Sequence, residues 1–332
     1  MRFAKASIVA IAANTVHAQR PEDTSICDFY TTALLKDNTA DNQATLLTLV
    51  VNTVVIGNYT QPNVGVAVAG ILAPGQYNGT DVNLLPYFTG EFASSNRGDD
   101  HGVSVNFLDD GGAEPLKNNK PANTQSSSQY FLLTHLYQFF GSLLSCSKQG
   151  MPGFDAYNGH ASMYEVHKFM ALDPYEVGYF ITQVGLAASS FGVADADVTA
   201  VGAALVSLFD YRCSPPATVI KSQGAQLQSI CIAETCPLAG ESVCDKYEPV
   251  VEPSTVTSSE SLSATTTTGQ YSTRSAWTTS APTGPGSSST STVPSNGNST
   301  TLSSPSVIPT AGAATNGLGL VAAVGGIAAF LL

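Results

Sequence analysis

The chain of 332 residues carries 13 Lys and Arg against 25 Asp and Glu, a formal charge of −12, and charged residues make up only 11% of it. So acidic a surface repels phosphate backbones, which argues against a nucleic-acid partner. With 29 Gly and 18 Pro beside so few charges, the composition departs from that of one compact domain, so it averages unlike segments.

Residues 1–18 read as a secretory signal peptide. Arg2 and Lys5 precede a short apolar stretch, and Val16-His17-Ala18 offers small residues for cleavage after Ala18. Removal of this leader makes residues 19–213 the folded domain. Its first expected helix runs from Gln43 to Ile56, with Asp41 as cap and Gly57 as stop. From Asn58 to Ser126 the chain is rich in Gly, Asn, Pro and Asp, which predicts turns and loops and defines a long irregular insertion (58–126). The acidic pairs Asp99-Asp100 and Asp109-Asp110 within it read as solvated turns rather than as a glycosidase pair or a calcium loop.

A second amphipathic helix is expected from Ser127 to Phe140 with Gly141 as its stop, and a short one from Ser162 to Met170. Asp173-Pro174-Tyr175-Glu176 carries a capping box with proline in the first turn. It opens a helix that places Val177, Phe180, Ile181, Val184 and Ala188 on one face and stops at Gly192. Asp195 to Phe209 repeats the pattern, so a helical hairpin is expected.

Beyond the domain, residues 214–252 form a Cys-rich segment, read as a stapled appendix. Cys27, Cys146, Cys213, Cys231, Cys236 and Cys244 make three disulfides the natural expectation in an oxidising compartment, with the pairing left open. Residues 253–310 consist largely of Ser, Thr, Gly, Pro and Asn and cannot bury a core, which suits an O-glycosylated stalk. Residues 311–332 place small residues (Ala311, Gly312, Ala313, Ala314) before a terminal apolar run, the layout of a GPI-attachment signal whose tail is removed. The sequons at Asn58, Asn78 and Asn298 are glycosylation candidates. Together these features predict a secreted protein held by a GPI lipid at the outer face of the plasma membrane or in the cell wall, with wall glycans as possible partners.

The core carries no G-x-S-x-G, no H-E-x-x-H and no phosphate loop. From about Gln129 to Phe209, however, it resembles the truncated globins. The matching features are Phe139-Phe140-Gly141, Tyr157-x-Gly159, Met163-x-x-x-His167 and two long helices joined by Phe191-Gly192-Val193; Val82 to Gly90 resembles that family's Phe-Phe-x-Gly corner. The resemblance implies a mainly α, globin-like domain. It makes His167 the axial ligand of haem iron, sets Phe88 and Phe180 against the porphyrin, and brings the helix of His135, with Gln129 and Leu132, over the opposite face. It departs from the family in its long insertion, in one extra residue before Met163 and in the segment holding Cys146. Two functions follow as expectations: a surface protein that binds haem and a small gaseous ligand, or a non-catalytic structural or adhesive glycoprotein with no cofactor.

Overall fold

The computed structural model describes residues 20–60 and 63–256. The leader, Asn298, Ala311 to Ala314 and all but the first residues of the stalk lie outside them. The described residues contain eight α-helices and two small hairpins: α1 (Ile26–Leu35), α2 (Ala40–Ile56), α3 (Leu85–Thr89), α4 (Ala113–Lys117), α5 (Ser128–Leu143), α6 (Met163–His167), α7 (Pro174–Ser190) and α8 (Asp195–Phe209), with strands β1 (Gly75–Tyr77), β2 (Thr80–Val82), β3 (Ala93–Ser95) and β4 (Val103–Ser104). The domain is therefore mainly helical. Among these elements no helix is long and apolar enough to cross a membrane.

Local chemistry explains most helix starts. Ser25, Thr39, Ser127 and Ser162 each accept a backbone N–H of the first turn of α1, α2, α5 and α6. The expected Asp41 cap on α2 is thus replaced by Thr39, and Asp41 sits inside the first turn. At α7 the box forms in full: Asp173 accepts from Glu176 N while Glu176 accepts from Asp173 N. The expected stop at Gly141 does not operate. A Cβ there would lie 2.5 Å from the Phe154 ring, so this glycine serves close packing inside α5, and the chain turns only at Ser145, where φ is 56°.

The core lies where α2 packs against α1, α5 and α7, and where α7 packs against α8. The expected α7 face is rotated in the fold. Val177, Tyr179, Val184 and Ala187 are buried, whereas Phe180 and Ile181 are only partly covered, because α7 is gripped from several sides by α2, α8 and β1. The insertion is structured in part. Asn78 (φ 48°) and Gly79 (φ 79°) form the two-residue turn between β1 and β2, paired Tyr77 to Thr80, as a type I′ connection requires. Buried Gln129 holds the rest: its Oε1 accepts from Gly112 N at 3.0 Å and its Nε2 donates to the carbonyls of Gly112 and Pro121 at 2.9 Å. The carboxylate of Asp109 accepts the N–H groups of Ser128 and Gln129, and that of Asp110 accepts from Thr124. Asp109 thus anchors its loop to the start of α5, and Asp110 ties it to the loop that precedes that helix.

All six cysteines are paired, as Cys27–Cys146, Cys213–Cys244 and Cys231–Cys236. The last four thus bond among themselves, yet residues 214–252 are no separate appendix. Ile220, Ile230 and Ile232 are buried, Phe209 O accepts from Cys231 N at 2.8 Å, and Leu172 O accepts from Ile232 N at 3.1 Å. The first stalk residues also hold to the domain, since Ala93 N donates to Ser254 O and Val256 N to Glu91 O.

Candidate functional site

His167 closes α6, a helix whose length is set by the Ser162 cap and by the turn before the Asp173 box. Its Nδ1 lies 2.8 Å from Met163 O. A carbonyl only accepts, so the proton resides on Nδ1 and Nε2 keeps its lone pair. Burial lowers the imidazole pKa below its ordinary value, which keeps the ring neutral at pH 7. This is the state an axial iron ligand needs.

The other residues expected around it are engaged elsewhere. The Nδ1 of His135 bonds Phe131 O at 2.6 Å, and its ring lies tilted against that of Phe131, centroids 4.0 Å apart, and meets Tyr157 edge-on at 5.8 Å. A Cβ on Gly159 would come within 2.6 Å of His135 Cδ2, so that edge of the ring is filled by chain. Gln129 spends its amide on the insertion, as described above, and Leu132 is partly buried against the core. Phe88 is partly covered on α3, its carbonyl accepting from Phe107 N at 2.7 Å. The packing of α6 is against β3 and the turn at residues 96–98. Among the described residues, two cavities stand out, and neither is bordered by His167, His135, Phe88 or Phe180. The His167 ring thus offers one neutral acceptor nitrogen, and neither of these two cavities adjoins it.

The larger cavity, about 570 Å³, opens at the C-terminal end of α5. Its lining mixes polar groups, from Ser25, Asp28, Ser142, Ser147 and Gln149, with apolar surface from Gly141, Ala156, Tyr157, Val219 and Ile220. The disulfide Cys27–Cys146 ties the N-terminal end of α1 to the loop after α5, and Ser147 N donates to Asp28 Oδ1 at 3.0 Å across it. Tyr157 donates to His160 O at 2.7 Å, and burial pushes its phenol up to about 12, so it remains neutral. The sequence offered one faint signal for this cleft, the serines flanking Cys146, and gave no reason to join them to Asp28.

The smaller cavity, about 460 Å³, lies against the β1–β2 hairpin. The hairpin tip exposes Asn78, and Asn58 is exposed beyond α2 with its side-chain oxygen accepting from Val68 N. Among the described residues no three His, Cys, Asp or Glu side chains gather as metal ligands. The chain matches no family model, no curated protein and no solved structure.

Proposed function

We propose that the chain is an exported surface glycoprotein in which a disulfide-locked helical domain is presented outward on a Ser/Thr-rich spacer and acts as a non-catalytic binding module. The leader is removed after Ala18, and a lipid attached within Ala311 to Ala314 replaces the apolar tail. The observation that carries this reading is the pairing of all six cysteines, since such bonds persist where thiols are kept oxidised. The exposed sequons at Asn78 and Asn58 support it, because N-glycans are added on the export route.

The test is to produce the full chain in a eukaryotic host and treat its membranes with phosphatidylinositol-specific phospholipase C. Release into the soluble phase, with a mobility shift on glycan removal, is the expected result. Retention in the membrane with residues 318–332 still detected by mass spectrometry overturns the anchor, and alkylation of any cysteine without reductant overturns the oxidised state.

A second reading keeps the truncated-globin-like domain and its haem, and one observation favours it: Met163 O fixes the His167 tautomer that leaves Nε2 available. Bound haem would supply an iron centre for a small gaseous ligand. A Soret band on supplying hemin to the full chain, lost in His167→Ala and kept in His160→Ala, is the outcome this reading requires. The absence of any band removes it.

A further inference from the structure

We propose that the cleft between the C-terminal end of α5 and residues 219–222 binds a short neutral oligosaccharide. Its volume of about 570 Å³ falls within the roughly 300–1,000 Å³ of small-molecule sites. Its lining combines the two kinds of surface that a pyranose ring demands. A sugar presents an apolar C–H face and a belt of hydroxyls, and here Tyr157, Val219 and Ile220 share one lining with serine side chains and Asp28. Tyrosine rings suit such a lining because they bury area at small entropic cost and stay polar at one end.

The polar groups of the lining are prearranged and keep an unused acceptor. Both hydrogen bonds to the Asp28 carboxylate, from Gln43 Nε2 at 2.6 Å and Ser147 N at 3.0 Å, fall on Oδ1. Among the described residues no donor reaches Oδ2, which leaves it for a hydroxyl from a ligand; charged acceptors make the stronger hydrogen bonds. Gln149 is held at both ends, accepting from Ser142 Oγ at 3.0 Å and donating to Gln138 O at 2.7 Å. With the Cys27–Cys146 bridge beside them, these groups need little ordering when a ligand enters.

Charge narrows the class. Asp23 and Asp28 face the single cation Lys221 among the lining residues, so an anion meets net repulsion. Two carboxylates without a third ligand make a poor cation site, in line with the metal-ligand groupings above. A neutral polyhydroxyl ligand satisfies both conditions. The inference rests on the exported reading, which places the cleft where glycans are abundant.

Isothermal titration of the full chain, secreted from a eukaryotic host and purified in detergent, tests it with maltotriose, mannotriose, laminaritriose and chitotriose, and with calcium chloride and inorganic phosphate alongside. Saturable binding of at least one trisaccharide is expected. Ser147→Trp and Ser222→Trp, both on exposed rim positions, should weaken it tenfold or more, whereas the distant exposed Ser126→Trp should not. Hydrogen exchange on the unmutated chain gives the same answer without relying on the variants: sugar should slow exchange within residues 141–149 and 219–222. No trisaccharide binding, unweakened binding in both rim variants, protection confined to other segments, or binding of calcium or phosphate alone overturns the proposal. Phospholipase release without sugar binding defeats the cleft and leaves the surface reading, and sugar binding without release does the reverse.

Discussion

Asp210, the first residue beyond α8, shows what one side chain does when the fold leaves it without a partner. Its Oδ1 is buried, accepts no hydrogen bond among the described residues, and burial pushes its carboxyl up to about 6. The helix C-terminus adds repulsion of the same sign. Because the folded value lies above the unfolded value of about 3.9, the native state holds the proton more tightly between about pH 4 and 6, so this contribution to stability is present at low pH and lost as pH rises through 6. At about 1.4 kcal/mol per unit the shift is worth up to about 3 kcal/mol, and partial solvent contact reduces this to about 1–2 kcal/mol. Asp210→Asn should therefore stabilise the protein at pH 7 and flatten that part of the profile, which melting curves from pH 4 to 8 would check; a variant less stable than the parent at pH 7 contradicts the account. Gly178 poses the opposite question. Helix propensity favours alanine there by about 1 kcal/mol, but a Cβ would lie 2.2 Å from the Tyr77 ring of β1. Overpacking costs about 1–3 kcal/mol, so Gly178→Ala should lower the denaturation midpoint rather than raise it.

At the scale of elements, α7 owes its start to chemistry within one turn and its burial to everything around it. Asp173 accepts two N–H groups, and Glu176, besides completing the box, accepts from Tyr87 of α3 at 2.9 Å. Burial raises the Glu176 pKa, with the backbone bond from Asp173 N working against that rise. Asp173→Ala leaves those amides without their cap and should cost about 0.5–2 kcal/mol in urea unfolding, with α7 the first element to exchange its amides. An unchanged midpoint would mean that tertiary packing alone fixes the start of α7. Helix α5 teaches the converse. Gly141 is a stop signal only where the chain needs a left-handed turn, and the Phe154 ring instead uses the missing side chain as a seat. The start of α1 was readable from Ser25 and Asp28 at capping-box spacing, although the element was not expected.

For the whole molecule, the decisive fact is that residues 214–252 send several side chains, among them Ile220 and Ile230, into the core. Burying Ile220, Ile230 and Ile232 contributes about 1.5–3 kcal/mol each, a sum comparable with the total margin of about 5–15 kcal/mol for a folded domain. Backbone bonds to Phe209 O and Leu172 O and the Ser162 Oγ bond to Leu227 O at 2.7 Å add to this. A chain ending after Cys213 should lack a cooperative thermal transition, whereas one ending at residue 256 should melt near the full chain. A sharp transition in the shorter chain would restore the appendix as a separate unit. The Arg20–Asp197 pair, 2.9 Å apart and backed by Tyr30 Oη at 2.8 Å, likewise joins the start of the described chain to α8.

What the sequence determined by itself was local or covalent in kind. The capping box at Asp173 and the presence of three disulfides follow from side chains acting within a turn of their own backbone or from thiol chemistry that needs no geometry, and the bounds of α8 follow from its apolar period. The tertiary structure decided everything that depends on a distant neighbour. It chose Cys146 as the partner of Cys27, turned α7 so that Tyr179 rather than Phe180 is buried, spent Gln129 on the insertion, and brought Asp28 and Tyr157 into the lining of one cleft that no motif announces. The physical reason is range. A cap reads the next three amides, while a buried face or a pocket wall is defined by chain that arrives from many residues away, whose position is settled only when the whole core closes.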